Sequence, residues 1–205
     1  MGRIFEAVLP LLDQIDPGEY VEIGTSRQGD DGSTSIIAEW AGERNTKLIT
    51  VDMDPVNCEY VKSTNILNTT VINDTGENYL HQRIYSMLPI GFLYLDNFDW
   101  DHHPDQTEQF VLDQQKRYAE LGFTMNNVNC QAAHLMQMTL ALPHMAKKCI
   151  VACDDTPFNK WWGVFTGKCG AVVPFLLGNG FKVLHLDLNE NGENTGVILG
   201  RGFNG

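Results

Sequence analysis

The stretch Lys182-Val-Leu-His-Leu-Asp-Leu-Asn-Glu-Asn-Gly-Glu-Asn-Thr-Gly-Val-Ile-Leu-Gly200 holds two apolar runs separated by an Asn191-Gly192 turn signal, with no helical pattern between them. That is a hairpin, so the last strand runs antiparallel to the sixth. The chain before it follows a different rhythm. Short β-rich runs at Tyr20–Ile23, Leu48–Asp52, Thr70–Ile72, Phe92–Asp96 and Cys149–Cys153 lead up to the pair Lys182–Leu186 and Val197–Gly200. Between them lie helical patterns over Ser33–Gly42, Pro55–Asn65, Glu77–Ser86, Gln106–Gly122, Gln131–Lys147 and Lys168–Gly178. Strands separated by helices pair in parallel through right-handed crossovers. The expected fold is α/β: a three-layer α/β/α sandwich around a seven-stranded, mostly parallel sheet with an antiparallel last strand.

At 205 residues the chain has the length of one such domain, and no repeat, low-complexity tract or Pro/Ser-rich linker divides residues 1–205. Surface scaling buries about 70% of the unfolded area at this size, enough for a real core. The 43% apolar and 20% charged content excludes disorder and collagen-like repeats. No run of 18 apolar residues and no signal-peptide pattern is present, so neither a membrane partner nor export is expected. Fourteen Lys and Arg against twenty-six Asp and Glu leave a net charge of −12, which argues against nucleic acid as a partner. Cys58, Cys130, Cys149, Cys153 and Cys169 form no C-x-x-C pair, and a reducing, cytoplasmic setting is expected.

In open α/β sheets, ligands bind beyond the carboxyl ends of the strands. The first strand ends in Glu22-Ile-Gly24-Thr25-Ser26-Arg-Gln-Gly29-Asp-Asp-Gly32-Ser33-Thr34. Glycines let that backbone turn tightly beside a ligand, and Ser33 or Thr34 is placed to cap the next helix. The loop has neither the G-K-[ST] of a P-loop nor G-x-G-x-x-G, and Asp30 and Asp31 would repel a pyrophosphate. The second strand ends in Asp52-Met53-Asp54-Pro55: Asp52 is suited to two ribose hydroxyls, Asp54 to capping the helix that starts at Pro55. Asp74, followed by Thr75, is suited either to an adenine edge or to a helix cap.

The fourth strand ends at Asp96 and the fifth at Asp154-Asp155. Adjacent strands bring these three carboxylates together, and they repel one another unless a cation intervenes. Hard oxygen ligands favour Mg²⁺, with Mn²⁺ or Ca²⁺ as substitutes. The other reading has Asp155 capping a helix and Asp96 facing a ligand's ammonium.

Taken together, the Glu-Ile-Gly turn, Val-Asp-x-Asp-Pro, Ile-Asn-Asp-Thr-Gly-Glu and the Asp-Asp-Thr after the fifth strand resemble class I S-adenosylmethionine-dependent methyltransferases, from about Gly18 to Gly200. Within that class the chain is similar to metal-dependent O-methyltransferases of the catechol, caffeoyl-CoA and macrocin types. The resemblance implies a Rossmann-like sheet with an antiparallel last strand, in agreement with the hairpin. It implies that Glu22, Gly24, Thr25 and Ser26 lie along the methionine part of S-adenosylmethionine, with Thr34 at its carboxylate. Asp52 would face the ribose, Asp74 and Thr75 the adenine, and Asp96 the ammonium, with Met53 also among the cofactor-binding residues. Asp96, Asp154 and Asp155 would hold the metal.

Two departures stand out. The glycine loop is about three residues longer than the catechol-type pattern. The lysine that follows the fourth strand in those enzymes is Asp99 here, so the base passes to Asp99 or His102, with His103 beside it. A metal would lower the acceptor's pKa and the base would take its proton. Acceptor recognition is expected from Phe123–Cys130 and from Pro157–Trp162. There the Trp161-Trp162 pair suits a ring or sugar face, core packing, or contact between copies of a homo-oligomer, and Lys160 is a spare base or a solvated charge. The function read from sequence is a metal-assisted O-methyltransferase of a small phenolic or sugar molecule. The alternatives are a metal-independent methyltransferase and a non-catalytic S-adenosylmethionine-binding module.

Overall fold

β1 (Glu19–Ile23) lies near the middle of the sheet, with every residue after Glu19 buried. The computed structural model describes residues 3–29, 32–83, 86, 88–99, 108–188 and 194–203. After α1 (Arg3–Leu12) and β1 come α2 (Ser33–Glu43), β2 (Leu48–Asp52), α3 (Pro55–Ser63), β3 (Thr69–Asn73), α4 (Gly76–Gln82) and β4 (Ile90–Leu95). Then follow α5 (Glu108–Glu120), α6 (Asn127–Ala141), β5 (Met145–Cys153), a short hairpin of β6 (Phe158–Asn159) and β7 (Val164–Phe165), α7 (Val172–Gly178), β8 (Lys182–Leu188) and β9 (Asn194–Arg201).

The large sheet has seven strands in the order β3-β2-β1-β4-β5-β9-β8. β1 to β5 pair in parallel, and β9 runs antiparallel to both β5 and β8. This is the expected Rossmann-like α/β/α sandwich. The Asn191-Gly192 turn itself lies outside the described residues, but the strands on either side of it pair as a hairpin requires.

Alternation along the strands divides the core between the two faces. Tyr20, Phe92, Tyr94, Ile150, Ala152 and Ile198 face α1 and α2, where they meet Ile4, Phe5, Val8, Ile37 and Trp40. Val21, Ile23, Leu93, Leu95, Val151 and Leu199 face the other way, onto Leu80 of α4, Met138 of α6 and Val172, Val173 and Leu176 of α7. Each fully buried side chain of this kind contributes about 1.5–3 kcal/mol.

Several details differ from expectation. α6 stops at Ala141 rather than Lys147, because Pro143 forces a 3-10 turn at Leu142–His144, after which the chain enters β5. Lys168 precedes α7 instead of starting it, and residues 158–165 form the small hairpin. α2 is entered through Gly32 in the left-handed region, φ 82°, with no side-chain cap, so neither Ser33 nor Thr34 caps it. As expected, the Asp54 side chain caps α3, accepting from the Val56 N–H at 2.8 Å, with Pro55 in the first turn.

Candidate cofactor and active site

The ends of β1, β2, β3 and β4 open onto a cavity of about 710 Å³. Gly24 makes the first wall possible. Its φ is +100°, and a Cβ there would stand 2.7 Å from the backbone of Asp96 and Asn97. Only glycine lets the β1 loop pass so close to the end of β4. Gly24, Thr25, Arg27 and Ser33 line the cavity, together with Asp52, Met53, Asp54 and Asn57 from the second strand end and Thr75 to Asn78 from the third. Asp96 to Asp99 close the far side, and Gln114, Arg117 and Tyr118 of α5, with Leu121 just after it, lie over it.

Asp52 is on this wall. Its Oδ1 accepts from the Asp54 N–H at 2.7 Å and its Oδ2 from the Thr25 N–H at 3.2 Å, and burial pushes its pKa up to about 6. Thr75 is on the wall too, and its hydroxyl caps α4. Asp74 lies behind the wall, where Oδ1 accepts from the Thr75 N–H and the Asn78 amide at 2.7 and 3.0 Å. It braces Thr75 rather than lining the cavity.

Glu22, Ser26 and Thr34 are not among the residues that line the cavity. Glu22 is fully buried beneath the loop, accepting from the hydroxyls of Ser33, Thr34 and Thr50 at 2.8, 2.7 and 2.6 Å. Burial pushes its carboxyl up to about 7 against the pull of those hydroxyls. Ser26 and Thr34 clasp each other: the Ser26 N–H donates to Thr34 Oγ1 at 2.9 Å and the Thr34 N–H to Ser26 Oγ at 3.0 Å. The three residues shape the loop from below.

Asp99 stands in the cavity wall with both oxygens facing the Arg27 guanidinium, at 3.1 and 3.2 Å. Its N–H donates to the Tyr118 hydroxyl at 2.8 Å. Sequence reading named Asp99 without Arg27, which sits in the extra length of the glycine loop. His102 and His103 lie outside the described residues. Lys160 is exposed, its Nζ 5.9 Å from the Trp161 ring centroid, away from the cavity wall. Trp161 and Trp162 are 87% and 79% exposed on the β6–β7 hairpin, which removes the core-packing alternative. Phe123, Thr124 and Asn129 of the expected acceptor segment do line the cavity.

Asp96 and Asp155 approach each other beyond β4 and β5, but around a protein side chain. Lys168 Nζ is 2.6 Å from Asp96 Oδ1 and 2.9 Å from Asp155 Oδ2. Asp154 is otherwise engaged, its Oδ2 accepting from the Tyr94 hydroxyl at 2.7 Å and its Oδ1 from the Asp155 N–H at 2.9 Å. Among the described residues no group of three or more His, Cys, Asp or Glu side chains is arranged to hold a metal ion. A divalent ion needs oxygens free to converge on one point, and this arrangement does not offer them. The residues as placed do not fit the expected Mg²⁺, Mn²⁺ or Ca²⁺.

Burial and the neighbouring carboxylates push Asp154 up to about 7, and burial raises Asp96 despite Lys168. Burial alone would lower the lysine, but Asp96 and Asp155 outweigh it and hold its pKa well above the ordinary value.

No protein-family model matches the chain, and a search of curated proteins finds no match either. Solved structures do match. An rRNA methylase from Streptococcus thermophilus is 12% identical with a TM-score of 0.53, covering 98% of this chain and 97% of its own. The O-methyltransferase NovP is 10% identical with a TM-score of 0.56, covering 97% and 78%. The N-methyltransferase NodS from Bradyrhizobium japonicum, solved with S-adenosyl-L-homocysteine, is 6% identical with a TM-score of 0.51, covering 98% and 86%. The chain therefore has the fold of class I S-adenosylmethionine-dependent methyltransferases. Three acceptor chemistries on one fold mean that the fold does not choose among them.

Proposed function

We propose that this chain is an S-adenosylmethionine-dependent methyltransferase of a small hydroxylated molecule, working without a divalent metal among its strand-end carboxylates. The observation that carries the reading is the cavity beyond the strand ends, with Asp52, Thr75 and Asp96 on three of its walls. Asp52 would accept from the ribose hydroxyls, Met53 and Thr75 would border the adenine, and Gly24 and Thr25 would follow the methionine part to an ammonium at Asp96. Bound there, the cofactor supplies a methyl group on a sulfonium, and the chain's task is mainly orientation. Asp99 is the described group on the wall suited to take the acceptor's proton, and His102 is the second candidate. Phe123, Thr124 and Asn129 offer a mixed apolar and polar face for the acceptor.

Asp52→Ala tests the reading by calorimetry with S-adenosylhomocysteine. Two charge-assisted hydrogen bonds, each worth about 1.5–3 kcal/mol, would be lost, so affinity should fall at least about tenfold. Because Asp52 also receives the Asp54 and Thr25 N–H groups, melting is followed alongside. Unchanged affinity in a folded variant contradicts the ribose assignment.

A further inference from the structure

We propose that Lys168 is the resident cation of this site, its ammonium standing where three carboxylates would otherwise gather a divalent metal, and that it acts as a positioning residue for Asp96. The ammonium bridges two strands, reaching Asp96 beyond β4 and Asp155 beyond β5, with only 6% of the side chain exposed. The chain that carries it is built for delivery. It leaves β5 at Asp154–Thr156, makes the β6–β7 hairpin and returns against its own start. There the Lys168 N–H donates to the Asp155 carbonyl at 2.9 Å and the Cys169 N–H to Thr156 Oγ1 at 3.2 Å.

Gly167, at φ +74°, sits at the point of closure, and a Cβ there would collide with the Asp155 carbonyl oxygen. Gln131 of α6 holds the Gly167 carbonyl at 3.1 Å. Asp155 takes a left-handed conformation, φ +43°, uncommon for a residue with a side chain. That conformation accompanies a carboxylate turned onto Lys168.

An ammonium and a divalent ion neutralise carboxylates differently. The ammonium donates a fixed set of hydrogen bonds and has no exchangeable coordination position. It can hold Asp96 ionised and oriented on the cavity wall, but it cannot draw two neighbouring acceptor oxygens into one coordination shell. If the methyltransferase reading holds, the acceptor is one presenting a single hydroxyl to a side-chain base, with no need for a chelating vicinal diol.

Titration of Mn²⁺, followed by the electron paramagnetic resonance of the free ion, tests the claim on the full chain without cofactor or acceptor. The wild type should take up no stoichiometric Mn²⁺. Lys168→Ser, which removes the ammonium and leaves space, should bind one equivalent, with affinity stronger than the wild type by an order of magnitude or more. Adding Asp155→Asn to that variant should abolish the uptake. Ethylammonium should raise the melting temperature of Lys168→Ala more than equal sodium does, and should leave the wild type unchanged.

One equivalent of Mn²⁺ on the wild type, lost in Asp154→Asn, overturns the proposal, and this arm decides even if the lysine variants do not fold. A folded Lys168→Ser that gains no Mn²⁺ overturns it as well. Neither result bears on cofactor binding, and a failure to bind S-adenosylhomocysteine would leave the lysine assignment standing.

Discussion

Glu22 and Asp52 stand one strand apart, both drawn to high pKa by burial, yet only Asp52 touches the cavity. Glu22 lies beneath the loop, and its effect is therefore on stability. Its carboxyl moves from an ordinary 4.5 to about 7 in the folded chain. Between those values the folded state holds the proton more tightly than the unfolded state. The contribution is full below about pH 4.5 and is lost as pH rises through about 7, a loss on the order of 3 kcal/mol. The melting temperature should fall from about pH 5 to pH 8, and Glu22→Gln should flatten that slope in thermal melts. Some slope should persist from Asp52 and Asp154, which shift the same way. Identical slopes in variant and wild type would contradict the burial argument.

Asp52 and Asp54 were legible in sequence because a strand end and a proline fix what each carboxylate can reach. The inward position of Glu22 follows from its period-of-two relation to Tyr20, which faces the core. Lys168 was not, since 72 residues separate it from Asp96 and only the closure of an irregular loop brings them together.

α5 exposes most of its length and buries only Tyr118, so a few contacts hold it over the cavity. Arg117 meets Asp54 through Nε at 2.7 Å and Nη2 at 2.6 Å, and Tyr118 packs edge-on against Phe98, centroids 4.7 Å apart. Asp54 thus caps α3 and latches α5 at once. Arg117→Met removes the latch and leaves the cap. A partly exposed pair of this kind is worth about 1 kcal/mol or less, so the loss of S-adenosylhomocysteine affinity should be a few-fold at most. Amide exchange in residues 108–120 should quicken while α6 is unchanged. Unaltered exchange in α5 would show that Tyr118 alone holds the helix.

Sequence periodicity found α2 to α7 but passed over α1, although Ile4, Phe5, Val8 and Leu12 carry an amphipathic pattern and are all buried. Pro10 within that helix weakens the signal. The β6–β7 hairpin was not legible, because two-residue strands carry no measurable alternation.

Over the whole molecule, a net charge of −12 opposes approach to phosphate, even though one of the solved structures of similar fold is an rRNA methylase. Duplex and single-stranded oligonucleotides should show no retention in filter binding at physiological salt, and micromolar affinity would count against a small-molecule acceptor. No helix among the described residues is long and apolar enough to cross a membrane. The seven strands of the large sheet and its antiparallel end were legible because hydrophobic runs and one turn determine them, whereas their order across the sheet was not. The approach of Asp96 to Asp155 was legible from the adjacency of the fourth and fifth strands, whereas the cation between them comes from a side chain elsewhere.

The proposed cofactor site needs no divalent ion. Titrating S-adenosylhomocysteine into the wild-type chain, once in EDTA and once in Mg²⁺, tests it directly. One site with the same affinity in both is the expected result. No binding in either condition, or binding that appears only with Mg²⁺, would contradict it.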